Sequence, residues 1–226
     1  MDWYPLWNSV RISLIACAAV FFAGILAAKR VAGLPPWLKG MIDVVLTLPL
    51  VLPPTVTGYF LLRLLGPRRL IGQWLLQSWG IRLTMTWHSA VFAAAAVSFP
   101  LMYRTARGAF ESADRTILDS ARTLGLSERY IFWRILLPMC RPNLIAGAVL
   151  SFARALGEYG ATSMIAGYTP HRTATISTTL YQMWRTGNER AAMQWVGVSV
   201  LLSCAVLTAV NLFEKRQKRL SGAGRP

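Results

Sequence analysis

The sequence predicts an all-α protein that crosses a membrane about five times, or six if residues 174–185 are counted as a span. Three observations carry this expectation. The 226 residues are 54% hydrophobic and 15% charged, with mean hydropathy +0.43, a balance suited to a polytopic membrane protein rather than a soluble globule. Uncharged runs near twenty residues recur, long enough to cross hydrocarbon as helices. The formal net charge of +15 gathers between those runs, as expected of loops at an anionic membrane surface. Nucleic-acid binding is set aside on the same ground.

The first run, residues 12–28, holds seventeen uncharged residues, and its flanks extend it to a span near 9–29. A secretory signal would place basic residues before a short apolar core. Here Asp2 lies in front and Lys29-Arg30 behind, so the reading is a retained first helix with its N-terminus outside.

A second span is expected near 43–65. Its run carries Pro49, Pro53 and Pro54, then Thr55, Thr57 and Gly58. Three prolines remove three backbone donors and crowd the carbonyls one turn earlier, so a straight helix is excluded. Carbonyls freed at membrane depth must face protein or a water-filled cavity. Pro53, Thr55 and Thr57 are therefore candidates for the wall of a translocation path. The plainer alternative is a packing kink.

Residues 66–82 form a polar connection with Arg68, Arg69, Arg82 and interfacial Trp74 and Trp79. A third span is expected near 83–106, where Ala93–Ala96 (residues 93–96) would allow close helix approach. His88 stands without partner ligands, and Cys17, Cys140 and Cys204 are isolated. Neither a metal site nor a cofactor is expected, and no catalytic constellation is visible.

Residues 119–138, DSARTLGLSERYIFWRILLP, make a polar island between apolar runs. Ile117, Ala121 and Leu124 fall at i, i+4, i+7, on one helix face. Gly125 stands where a helix ends in the left-handed conformation. Ser127 can cap a second helix, with Glu128 in its first turn. Pro138 is expected to mark a further break. A helix, a tight turn and a second helix between two spans suit docking into a groove on another protein.

A fourth span, broken, is expected near 139–167. Arg154 and Glu158 stand at i, i+4 and can pair. Ionisable groups at this depth face a protein interior or a cavity. The pair is either a latch beside a helix break or part of an anion path. Residues 168–190 are polar, and a last span is expected near 191–213. The tail carries Lys215, Arg216, Lys218, Arg219 and Arg225, and no C-terminal regulatory domain is expected after it. Five spans with the N-terminus outside place fifteen of the 24 Lys and Arg residues in cytoplasmic segments, as the positive-inside rule requires.

The spacing Asp119-Ser120-Ala121, three residues, Gly125, nine residues, Ile135-x-Leu137-Pro138 resembles the EAA loop of ABC importer permeases. That loop reads Glu-Ala-Ala, three residues, Gly, nine residues, Ile-x-Leu-Pro. Asp and Ser depart from it, while every spacing matches. Glu111-Ser112-Ala113 is a decoy, because no Gly follows at that distance. LTLPLVLPPTVTGYFLL, FPLMYRTARGAFE, ARTLG and FARALGEYGAT extend the resemblance to nearly the whole chain, toward molybdate permeases of the oxyanion branch.

The resemblance implies a type I ABC importer permease in a bacterial or archaeal cytoplasmic membrane, with its C-terminus cytoplasmic. It implies a second copy of the chain, a cytoplasmic ABC ATPase dimer and an extracytoplasmic oxyanion-binding protein. Residues 111–138 would be the cytoplasmic coupling loop, with Asp119, Ser120, Ala121, Leu124, Gly125, Ile135, Leu137 and Pro138 meeting the ATPase. No Gly-x-x-x-x-Gly-Lys-Ser/Thr occurs, so ATP hydrolysis would belong to the partner. Sulfate or tungstate import is the rival within the branch. An ATP-independent secondary transporter is the rival outside it, unsupported by any inverted repeat.

Overall fold

The computed structural model describes residues 2–80 and 82–222. Among these residues the secondary structure is helical throughout, with no strand. The elements are α1 (Tyr4–Ala32), α2 (Pro36–Val51), α3 (Pro54–Leu65), α4 (Leu70–Trp79), α5 (Trp87–Glu111), α6 (Arg115–Thr123) and α7 (Glu128–Ile131). A π-helical turn (Phe132–Leu136) leads into α8 (Leu137–Leu156), followed by α9 (Gly160–Ile165), α10 (Ile176–Arg185) and α11 (Glu189–Gly222). Lys215, Arg216, Lys218 and Arg219 lie on α11, and Arg225 lies outside the described residues.

The core is α5 held between α1 and α8. Small residues make this possible: Ala16, Ala28, Ala90, Ala93, Ala94 and Ala106 are all fully buried. At Gly24 of α1 an added Cβ would sit 2.8 Å from Met102 Cγ and 3.3 Å from the Tyr103 backbone nitrogen. Only glycine lets the two helices approach so closely, and in lipid such approach supplies dispersion contact where water supplies no drive.

Three helical stretches have the length and apolar composition of spans: α1, the continuous Glu128–Leu156 and the Glu189–Ala209 part of α11. The bent pair α2 and α3 makes a fourth. The expectation of five thus needs α5, whose 25 residues reach about 37 Å. Its middle carries Ala93–Ala96 (residues 93–96) and Ser98, and it packs against α1 and α8. Counting a sixth span does not hold, since the ten residues of α10 reach only about 15 Å.

The break expected in the span near 43–65 is present, and it divides the segment into two helices. They are bent by 112° at Leu52 and Pro53. Pro54 opens α3 at its first position, where a missing N–H is harmless. Pro138 does not break the chain as expected. Leu137 N donates to Phe132 O, five residues back, and this widened turn carries the helix past the proline. A π-turn moves the carbonyl that a proline ring would otherwise strike.

At the opposite end, α1 holds the 167–176 segment. Tyr4 Oη donates to Arg172 O at 2.9 Å, Asn8 Nδ2 to Ala174 O at 2.9 Å, and Ile176 N to Ser9 Oγ at 2.9 Å. These bonds satisfy backbone groups that no regular element serves.

Candidate functional site

The first candidate is the α6–α7 hairpin. Asp114 caps α6 by accepting from Thr116 N at 2.8 Å, and Ser127 caps α7 by accepting from Tyr130 N at 3.3 Å. Between them Gly125 adopts φ +77°. Leu126 N donates to Ala121 O at 3.2 Å and Gly125 N to Arg122 O at 2.9 Å. This is the Schellman pattern, which needs a left-handed residue at its second-last position. A Cβ at Gly125 would meet nothing within 4 Å, so the requirement is torsional and not steric.

Arg122 clips the turn from outside. Its Nη1 reaches Asp119 Oδ1 at 2.7 Å and its Nε reaches Glu128 Oε1 at 2.7 Å. The guanidinium holds the Glu128 carboxyl below its usual range by hydrogen bonding, and the two carboxylates raise the Arg122 pKa further. Sequence reasoning missed Arg122 and Asp114. The signal was present as a carboxylate three residues before an arginine and another six after it.

The hairpin presents its tip outward. Leu124 is 79% exposed, and Asp119, Ser120 and Gly125 are exposed too. Ala121 is different: at 4% exposure its side chain is buried and does not belong to the exposed surface of the hairpin. Ile117 is exposed and does not join it in a buried stripe. At the base, Phe132 is buried edge-on against Phe110, with Lys29 Nζ 3.7 Å from its ring centre. Ile135 and Leu137 are half-buried and Pro138 is exposed. The hairpin is therefore a projection whose base packs on α1 and α5.

The second candidate is where the two helix breaks meet. α3 packs on α9 through glycine on each side. A Cβ at Gly58 would lie 2.7 Å from Ala161 Cα, and one at Gly160 would lie 2.9 Å from Pro54 Cβ and 3.1 Å from Thr55 N. Residues 53–57 thus lie against the start of α9, two residues beyond Glu158, while Arg154 stands on α8 and reaches this place only through its pair with Glu158. Pro53 and Thr55 are exposed. Thr57 is buried, with its Oγ1 unpartnered among the described residues.

Glu158 is 3% exposed and both its oxygens are engaged. Oε2 accepts from Arg154 Nη1 at 2.8 Å and Oε1 from Ala161 N at 2.8 Å. A carboxylate satisfied by a guanidinium and a backbone amide is a local tie across the break between α8 and α9. Among the described residues no three His, Cys, Asp or Glu groups come together as metal ligands.

Residues 20–219 match the family of binding-protein-dependent transport system inner membrane components. The chain belongs to this family. As a permease of ABC importers it has relatives at high coverage. It is 39% identical over 208 residues to the molybdenum transport system permease protein ModB of Escherichia coli, covering 89% of each chain. It is 37% identical over 206 residues to the putative molybdenum transport system permease protein YvgM of Bacillus subtilis, covering 90% of this chain and 89% of that one. The sulfate transport system permease protein CysT of Salmonella typhimurium is 30% identical over 234 residues, at 96% and 82% coverage.

The permease fold is that of solved importers. An inward-facing MetNI methionine ABC transporter matches with TM-score 0.74 over 94% of both chains at 13% identity. A bacterial ABC transporter importing alginate matches with TM-score 0.74 over 94% of this chain and 78% of that one, at 18% identity. The fold is a type I importer permease.

Proposed function

We propose that this permease is the membrane subunit of an ATP-driven molybdate importer. It would assemble as two copies, with a cytoplasmic ATPase pair under the α6–α7 hairpins and an oxyanion-binding protein on the opposite face. The observation that carries the reading is the hairpin itself. It is a capped projection with an apolar tip at Leu124, its base packed on α1 and α5. An ATPase that binds one permease conformation more tightly than the other would shift the equilibrium by that difference in affinity.

In this reading the N-terminus lies outside, the hairpin and the end of α11 lie in the cytoplasm, and the exposed Pro53 and Thr55 with Thr57 line the path. Glu158 acts as the latch between α8 and α9, since neither of its oxygens is free to meet substrate. The tetrahedral dianion is favoured by the molybdenum-transport relatives. Their identity of 37–39% exceeds the 30% to the sulfate relative.

The test is uptake in proteoliposomes containing the permease with its cognate ATPase and binding protein, offered molybdate, tungstate and sulfate in parallel. ATP-dependent molybdate uptake is the expected result. Preference for sulfate would move the protein within its branch. Uptake that persists without ATP would overturn the importer reading in favour of a secondary transporter.

A further inference from the structure

α2 and α5 are joined by four charges set at the corners of a square, with ion pairs along three of its edges. On α2, Lys39 and Asp43 stand one helical turn apart. On α5, Arg107 and Glu111 do the same, with Arg107 Nε 3.0 Å from Glu111 Oε1. The two sets run antiparallel, so Lys39 pairs with Glu111 and Arg107 with Asp43. Tyr103, wholly buried one turn earlier on α5, donates its hydroxyl to Asp43. Each charge thus faces an opposite charge across the interface, and Arg107 also pairs with Glu111 along α5.

The square sits at a junction. Glu111 is the last residue of α5, and only residues 112–114 separate it from α6 of the hairpin. Beyond Asp43, α2 runs to the bend at Leu52 and Pro53, and α3 then packs on α9 at Gly58 and Gly160. α2 has no fully buried residue of its own; Ile42 and Leu46 are only partly covered by the core. Its attachment to α5 accordingly relies on the charged pairs. The four side chains are 21–38% exposed, dry enough to hold direction and wet enough to avoid a heavy desolvation penalty.

We infer that Lys39, Asp43, Arg107 and Glu111 are the relay that passes movement of the α6–α7 hairpin to the bent α2–α3 pair. The inference rests on the importer reading above, and it gives a role to residues outside the coupling motif. These are positioning residues: they touch neither substrate nor ATP. A shift of the hairpin moves the end of α5. The square then makes α2 follow, and α2 moves α3 against the break beside Glu158. A square of ion pairs resists shear in a way that a smooth apolar contact does not, because displacement by one turn sets like charges opposite each other.

The experiment measures molybdate uptake per ATP hydrolysed in the reconstituted complex, together with retention of the ATPase on the permease. Asp43→Asn and Glu111→Gln each remove one cross-helix pair. They are expected to lower uptake per ATP about tenfold, within the usual range of coupling, while the ATPase stays bound and continues to turn over. The fourfold variant Lys39→Glu, Asp43→Lys, Arg107→Glu, Glu111→Arg rebuilds the square with reversed polarity and is expected to recover the ratio. A merely structural square would instead reduce uptake and hydrolysis in proportion, and an unchanged ratio in the single variants would also overturn the relay.

If the fourfold variant does not retain the ATPase, Arg107→Lys and Arg107→Gln decide the matter. A ratio kept by lysine and lost by glutamine supports the relay; equal ratios overturn it. Absence of ATP-dependent uptake in the wild-type complex would remove the importer reading and the relay together. Intact wild-type coupling with insensitive variants would remove the relay alone.

Discussion

The Glu158 carboxylate accepts the amide hydrogen of Ala161 at 2.8 Å, and so fixes the start of α9 to the end of α8. Its other oxygen holds Arg154. Glu158→Ala leaves the buried Ala161 amide without an acceptor and frees the partly exposed Arg154, a loss of about 2 kcal/mol. Glu158→Gln keeps an acceptor for Ala161 but gives up the charge facing Arg154, and should lose about half as much. Thermal unfolding of the purified permease in detergent checks the order. If the glutamine variant unfolds like wild type yet fails to transport, the latch assignment is wrong and Glu158 belongs to the path.

Gly125 is held at φ +77° in open space. Gly125→Ala should destabilise the turn by about 1 kcal/mol from the torsion alone, and Gly125→Asn by less, because asparagine tolerates the left-handed region. Transport should fall in the order glycine, asparagine, alanine, with membrane insertion unchanged. Proteoliposome uptake alongside ATPase retention reads this. An alanine variant better than the asparagine one would show that the tip, not the turn, is what matters.

The hairpin was legible because its instructions are local. A serine cap, a glycine at the left-handed position and a polar surround all lie within a dozen residues. The broken helices were legible for the same reason, since a proline pair cannot be hidden by packing. The side-chain direction of Ala121 was not legible, because periodicity gives a face but not which face meets the core. Pro138 misled, since the π-turn that absorbs it is set by Phe132 and the helix before it. The pairs Lys39–Glu111 and Asp43–Arg107 join residues more than sixty positions apart, and no local pattern announces them. Glu111 in particular looked like a failed motif.

The contact of α3 with α9 tolerates no added volume. A Cβ at Gly58 would lie 2.7 Å from Ala161 Cα and 2.8 Å from Ala161 O, and backbone cannot rotate aside as a side chain can. Gly58→Ala should therefore push α3 outward, at about 1–3 kcal/mol. Gly108→Ala is the control, since a Cβ there meets nothing within 4 Å. Thermal unfolding of the two variants should separate them clearly. Equal midpoints would mean that α3 and α9 are not in fixed contact.

The Glu111 carboxyl is held below its ordinary value chiefly by the hydrogen bond from Lys39, with Arg107 adding to it. A carboxyl with a lowered folded-state pKa stabilises the fold above its unfolded value, and that contribution disappears as pH falls through the folded value. The groups facing it are Lys39 and Asp43 from α2, with Arg107 and the nearby Tyr103 from α5. The stabilisation should be constant from neutral pH down to the ordinary carboxylate range and be lost only beneath it. Its size is under about 1 kcal/mol for so accessible a pair. Glu128 is shifted in the same direction by Arg122, but it lies in open solvent, so salt should screen it first. The unfolding midpoint of the wild-type permease should thus fall below the carboxylate range, and Glu111→Gln should flatten that fall at high salt while Glu128→Gln should not. A flat wild-type profile at high salt would mean that the Lys39–Glu111 pair does not persist in solution.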